Sequence, residues 1–248
     1  MGLGKRPRLG LIGFGGFGRL MAGALCPHMD ILVCDPAYVG AVLDTGQALP
    51  MGTLEDAAQC DIVVLCIPVA RVPHLCARLA PLLKPGTLVV DVGSVKVEPM
   101  RVMDELLPSH VDIVGTHPLF GPQSARDGIA GHKIAVCPLR GVRWRSVAGF
   151  LRRIGLDVIV TTPEAHDREA AMVQGLTHLI AKVLAGMGPL PERMTTASFE
   201  HLRAAIGMVQ DDPPTVLHAI ETANPYAADI RSAFFERAER LRVQFDGV

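Results

Sequence analysis

A run of six residues, Gly13-Phe14-Gly15-Gly16-Phe17-Gly18, constrains this chain more than any other. It follows a short apolar stretch, residues 9–12, that reads as a strand. It precedes residues 19–25, which read as a helix. Strand, glycine turn and helix start, in that order, form the context in which a G-x-G-x-x-G pattern takes the pyrophosphate of a dinucleotide. The first glycine makes the turn, the second admits the phosphates to the backbone, and the third packs helix on strand. Amides at the helix N-terminus add partial positive charge. Gly13, Gly15, Phe17 and Gly18 are therefore candidate cofactor contacts. The next apolar stretch, residues 31–34, ends in Asp35, 17 residues beyond Gly18. A carboxylate there accepts hydrogen bonds from an adenosine ribose and repels a 2′-phosphate. No Arg or Lys follows within the next ten residues, so the pattern favours NAD over NADP.

Strand-like and helix-like stretches then alternate. Thr53-Leu54-Glu55-Asp56 reads as a capped helix start. Residues 61–67 are almost continuously aliphatic and β-branched, as suits a strand buried on both faces. Residues 72–83 read as a helix, 87–91 as a strand, 96–107 as a helix and 111–114 as a strand. Strands at 133–137 and 157–160 flank a helix at 144–154. Such alternation predicts an α/β fold, a Rossmann-type doubly wound parallel sheet. From Thr162-Pro163 onward only helices are expected. The domains are therefore residues 1–162 for the dinucleotide and 163–248 as a small all-helical unit for substrate and dimerisation.

Two strand-end segments carry the chemistry. Asp91-Val92-Gly93-Ser94-Val95-Lys96 leaves one strand, and Gly115-Thr116-His117-Pro118-Leu119-Phe120-Gly121-Pro122 leaves the next. Open α/β sheets place their ligands outside the carboxyl ends of the strands. Pro118 turns His117 away from helical dihedrals, so the imidazole is expected on a strand-end loop. A lone loop histidine commonly does no more than hold its own loop. The glycine turn and the neighbouring Ser94 favour a catalytic reading instead. Ser94 also suits the cap of the helix that starts near Lys96, and a capping serine still has a proton to donate.

In the helical part Asp167, Gln174 and His178 are spaced i, i+7, i+11, within roughly 40° of one another at 100° per residue. They read as a polar stripe lining a cleft, with His166 tying down the helix start. Gly186-Met187-Gly188-Pro189 breaks the chain. Helices are expected at 192–209 and 214–223, separated by Asp211-Asp212-Pro213-Pro214, and a last one at 225–245. That last helix is apolar at Ile230, Phe234, Ala238, Leu241 and Phe245. Four helices in so short a stretch bury little by themselves. They are expected to pack on the sheet domain and on a second copy.

With 248 residues, 49% of them apolar, the chain has material for a sizeable core. A net charge of −1 shows no basic face for nucleic acid. Six cysteines without a C-x-x-C pair read as free thiols in a reducing compartment and suggest no metal site. The apolar run 62–70 contains Pro68 and is too short for a bilayer. The basic start, Met1-Gly2-Leu3-Gly4-Lys5-Arg6, runs straight into the glycine turn, so it is not read as a signal peptide. A cytoplasmic protein is expected.

Taken in order and spacing, four segments resemble the prephenate/arogenate dehydrogenases of tyrosine biosynthesis. They are the glycine turn, the Asp91 to Lys96 segment, the Gly115 to Pro122 segment, and Glu164-Ala165-His166-Asp167 followed by Gln174-Gly175-Leu176-Thr177-His178. The resemblance implies a Rossmann-type domain, a helical dimerisation domain and oxidative decarboxylation with hydride transfer to NAD. Prephenate gives 4-hydroxyphenylpyruvate and arogenate gives tyrosine. By resemblance His117 is the base, Ser94 its partner, and His178 and Gln174 line the substrate pocket. Many family members offer an arginine to a substrate carboxylate, and Arg203 is the candidate here. The region is also similar to arogenate-type members that lack this arginine, and Asp212 can face arogenate's ammonium. No chorismate mutase or regulatory domain is expected, so feedback by tyrosine would act at the active site. The rival readings are a β-hydroxyacid dehydrogenase or imine reductase on the same architecture, and a non-catalytic NAD-binding dimer scaffold.

Overall fold

The computed structural model describes residues 6–210 and 212–247. The basic start at residues 1–5 and Asp211 therefore lie outside the described residues. The chain divides into two compact units, Met1–Pro163 and Glu164–Val248.

The first unit is built on a seven-stranded sheet of β1 (Arg8–Ile12), β2 (Asp30–Cys34), β5 (Ile62–Leu65), β6 (Leu88–Asp91), β7 (Asp112–Pro118), β8 (Lys133–Arg140) and β9 (Asp157–Val160). Their order across the sheet is β2-β1-β5-β6-β7-β8-β9. A small hairpin of β3 (Ala41–Val42) and β4 (Ala48–Leu49), absent from the sequence reading, lies between β2 and β5 in the chain. Side chains alternate between the two faces of each strand. Val63, Leu65, Val89 and Ile113 pack under α2 (Leu54–Ala58), α3 (Val72–Leu79) and α4 (Val97–Leu106). Leu9, Leu11, Val64, Val90 and Val114 pack under α1 (Gly16–Leu25) and α5 (Trp144–Arg153). Both faces are covered, which is why the strands read as unbroken aliphatic runs.

The sheet is parallel except at one place. β7 and β8 are antiparallel, with Thr116 opposite Val136 and His117 opposite Ala135. Parallel neighbours need a long crossover, usually helical, whereas an antiparallel strand can return directly. No helix lies between residues 118 and 133, so the chain folds straight back. This pairing corrects the expectation for His117. The histidine is not on a loop but inside β7, which runs past the end of β6 and keeps β8 as its neighbour. The extended geometry imposed by Pro118 is satisfied by a strand as well as by a loop.

Other boundaries moved for local reasons. α3 stops at Leu79 because Pro81 follows its C-cap. Thr53 caps α2 as expected, in a reciprocal capping box with Asp56.

The second unit holds α6 (Pro163–Ala170), α7 (Leu176–Gly186), α8 (Ala197–Val209), α9 (Pro214–His218) and α10 (Ala227–Asp246). Two wide π turns interrupt it, Ala171–Gly175 after α6 and Ala219–Ala223 after α9. They pack on each other, with Gly175 facing Ile220 and Glu221. The single long helix expected after Pro163 is thus broken. A π turn adds a residue per turn, so the angular arithmetic that aligned Asp167 with Gln174 and His178 does not apply. α8 begins at Ala197, later than the expected residue 192, because Thr196 supplies its cap, accepting from the Phe199 N–H at 3.3 Å.

Candidate active site

The glycine turn has the geometry its sequence implies. Gly13 has φ +101° and donates to the carbonyl of Cys34 at 3.0 Å. A side chain at Gly13 would strike the carbonyl oxygen of Cys66, and one at Gly18 would strike that of Gly13. Gly15 is different, with nothing within 4 Å of where its Cβ would stand. That is open space beside the N-terminus of α1, whose first turn holds no acidic residue and no side-chain cap. Free amides next to room for phosphate fit a dinucleotide. Phe17 packs its ring 6.3 Å from that of Phe120.

Asp35 leaves β2 beside this turn. One carboxylate oxygen accepts the Phe14 N–H at 2.7 Å and the other accepts the Ala37 N–H at 2.9 Å. The sequence reading missed what lies next to it. The Arg19 guanidinium stacks over the Phe14 ring at 5.4 Å and the Tyr38 ring at 6.0 Å. A cation thus stands on the α1 side of the acid, where a search along the chain after Asp35 could not find it. Cys66, at the foot of the turn, is no nucleophile. Burial first, then the Asp91 and Asp35 carboxylates, pushes its thiol up to about 12.

Ser94 and His117 leave neighbouring strands. The last paired residues of β6 and β7 are Asp91 and Gly115. Three residues beyond Asp91 comes Ser94, and two beyond Gly115 comes His117, which is 5% exposed. Ser94 does not cap α4, whose N-cap is Lys96 with no side-chain cap bond. The wholly buried Lys96, paired with Asp91, was not singled out in the sequence because a lysine ordinarily signals surface.

A cavity of about 600 Å³ opens on the other face of the same strands. Phe17, Val92, Thr116, Pro118 and Phe120 line it, together with aliphatic residues of α1 and α5. It takes the neighbours of His117 but not His117 itself.

In the helical unit His178 is 4% exposed. Its Nδ1 faces the Gln174 carbonyl at 2.9 Å and its Nε2 faces the Asp212 carboxylate at 3.0 Å. The buried side-chain oxygen of Gln174 has no hydrogen-bond partner among the described residues. Asp167 does not line a cleft with them. It is fully buried, its carboxylate on His166 Nδ1 at 2.7 Å, and its carbonyl accepts from Asn224 at 2.7 Å. Arg203 is committed to Glu200 at 2.7 Å and lies 3.7 Å from Glu192. The Thr195 hydroxyl first, and Arg203 second, hold the Glu200 carboxyl below the usual carboxylate range. Arg203 is thus half-exposed and paired with glutamates of the helical unit.

No group of three or more His, Cys, Asp or Glu able to hold a metal occurs among the described residues. Among the described residues no helix is long and apolar enough to cross a membrane.

This geometry defines a Rossmann-type dinucleotide-binding unit with a serine and a histidine at its strand ends. Comparison with known proteins narrows the class. Residues 40–144 match the family model of the prephenate dehydrogenase nucleotide-binding domain. The chain is 27% identical over 209 residues to a probable arogenate/prephenate dehydrogenase of Methanocaldococcus jannaschii, covering 80% of this chain and 46% of that protein. It is 30% identical over 197 residues to the cyclohexadienyl dehydrogenase of Zymomonas mobilis, covering 72% and 66%. It thus spans about half to two thirds of the length of these relatives. Its fold is similar to that of the Aquifex aeolicus prephenate dehydrogenase solved with hydroxyphenyl propionate and NAD+, with TM-score 0.73, 20% identity, and 96% of this chain and 90% of that one covered. The chain belongs to the prephenate/arogenate dehydrogenase family.

Proposed function

We propose that this protein oxidises and decarboxylates prephenate or arogenate, with NAD as the hydride acceptor. The observation that carries the reading is the placement of Ser94 just past the end of β6 and of His117 within β7, two residues beyond its last pairing with β6, in the sheet that also presents the open glycine turn. When bound at that turn, the nicotinamide cofactor supplies the acceptor for the substrate's hydride. The remaining chemistry is for the chain's own residues. Oxidation of the ring carbinol requires its O–H bond to break as the carbonyl forms. His117 takes that proton, and Ser94 hydrogen-bonds the same hydroxyl or the imidazole. General-base help of this kind is typically worth about 10²–10⁴-fold. Loss of carbon dioxide from the ring then restores aromaticity, which makes the reaction irreversible. Gln174 and His178 are assigned to the substrate, and the unpartnered oxygen of Gln174 supports this by offering an acceptor to a ligand donor. The structure gives Arg203 weaker support, because two glutamates already hold it.

Asp35 selects NAD by accepting the ribose hydroxyls and repelling a 2′-phosphate. Arg19 opposes that selection, because its guanidinium stacks over the ring of Phe14, the residue whose amide Asp35 holds. A homodimer through the helical unit is part of the proposal. Its support is the apolar surface of α10, where Phe235 is 49% and Phe245 is 75% exposed. Initial rates of NADH formation with prephenate and with arogenate test the function. A kcat/KM for either substrate in the ordinary enzymatic range supports it, and the ratio of the two assigns the substrate. Turnover of a β-hydroxyacid with neither of these would contradict it.

A further inference from the structure

Beneath the candidate catalytic pair lies an ion pair that the proposed chemistry does not use. Lys96 is 0% and Asp91 1% exposed, and the ammonium meets one carboxylate oxygen. The other oxygen accepts the Gly93 N–H at 3.0 Å. Asp91 therefore grips its own loop on both sides of Ser94, at Gly93 and at Lys96. The backbone of Asp91 grips the next strand as well, because its carbonyl accepts the Thr116 hydroxyl at 2.9 Å. That bond is made one residue before His117.

The two segments also interlock sterically. A Cβ on Gly115 would strike Met100 Sδ and would lie 3.2 Å from Lys96 Cδ. Met100 fills the space that the missing side chain leaves, and the lysine stem passes close beside it. Gly115 and His117 share one face of β7, since side chains alternate along a strand. The imidazole therefore projects on the side that Lys96 occupies, one pleat further along.

A buried ion pair is poor evidence of stabilisation, since apolar residues of like volume often serve as well. Its contacts here point to another use. We propose that Asp91 and Lys96 are positioning residues that fix Ser94 and His117 relative to each other. One carboxylate sets the loop that carries the serine, while its own carbonyl sets the strand that carries the histidine. This rests on the reading of Ser94 and His117 as the catalytic pair.

The test uses the full chain and three variants, Lys96→Met, Lys96→Arg and the double variant Asp91→Asn with Lys96→Met. The first leaves a buried carboxylate without its partner and lowers stability. The double variant removes both charges and regains much of the thermal midpoint. Its kcat is nonetheless expected to stay tenfold or more below wild type, while KM for NAD changes by less than twofold. Lys96→Arg restores part of the rate. Amide hydrogen exchange gives a readout that needs no substrate. In the double variant, exchange across residues 92–96 is expected to quicken at least tenfold, with β1 and β5 unchanged. A double variant with wild-type kcat, or with unaltered exchange at 92–96, would overturn the proposal. If the wild type turned over neither prephenate nor arogenate, the functional reading would fall, and exchange alone would decide whether the pair sets the loop.

Discussion

The carboxyl ends of β6 and β7 and the helices α8 and α10 handle their polar groups in opposite ways. Around Asp91 the described polar contacts are buried or part-buried and run to the Gly93 amide, the Thr116 hydroxyl and a wholly enclosed lysine. In the helical unit the polar contacts of α8 and α10 are mostly exposed pairs one turn apart, such as Arg203 with Glu200 and Arg242 with Glu239. Exposed pairs of that kind contribute about 0–1 kcal/mol each and re-form readily with new partners. The contrast separates two tasks. On the proposed mechanism the imidazole that takes the proton must be fixed, which suits the enclosed contacts around Asp91. The exposed pairs of α8 and α10 suit a surface that rearranges, whereas the proposed substrate residue His178 is itself buried and held by Asp212.

Several substitutions break or sharpen that contrast, and the largest effect is expected at His117. His117→Asn should lower kcat by about 10²–10⁴-fold, with NAD affinity measured by calorimetry unchanged. Retention of most of kcat would remove the imidazole from the mechanism. Gly13→Ala combines a backbone at φ +101° with a collision on Cys66. It is expected to cost about 1–3 kcal/mol or more through strain, and to weaken NAD binding. An unchanged thermal midpoint would show that the turn relaxes freely. Asp35→Ser should raise NADP use relative to NAD by roughly tenfold, equivalent to about 1.4 kcal/mol. Replacing Arg19 with Ala in that background should reverse much of the gain. Selectivity that stays the same would place the ribose elsewhere.

In the helical unit the expected change is to assembly rather than to chemistry. Leu241→Asp, on an α10 residue that is 52% exposed, should shift the sedimentation boundary toward monomer without altering the fold. The smallest effect is a null one at Cys76. Burial, with a smaller contribution from Asp91, pushes this thiol up to about 12. A raised pKa keeps the neutral form at every pH below it, so at pH 8 the thiolate fraction is on the order of 10⁻⁴. Cys76 should therefore resist alkylation until the protein unfolds. Labelling at the rate of a free thiol would show that this side of the sheet opens.

The parts of the structure that were legible in the sequence are those set by nearest neighbours. The glycine turn, the strand ending in Asp35 and the Thr53 capping box depend on residues a few positions apart. The alternation of strands and helices was readable because a sheet covered on both faces needs aliphatic runs. The misreadings share a different origin. β8 returns antiparallel because of what the 119–132 segment lacks, and His117 is in-strand only because β8 is there to pair with it. The π turns at Ala171–Gly175 and Ala219–Ala223 pack on each other, and neither is visible from its own residues. Lys96 looked like surface because its acid, its glycine and its strand neighbour come from two segments. A faint signal existed. An acid and a lysine five apart bracket Gly93-Ser94, and a glycine, Gly115, sits inside an aliphatic strand where it weakens packing unless something must pass close by.

The central claim is that this corner of the sheet performs an oxidation coupled to loss of carbon dioxide. The most direct measurement is the stoichiometry of one reaction, with NAD and either prephenate or arogenate, in which NADH, carbon dioxide and the aromatic product are quantified together. The account predicts equal amounts of all three, with 4-hydroxyphenylpyruvate from prephenate or tyrosine from arogenate. Folded protein that binds NAD and yields none of them from either substrate would contradict it.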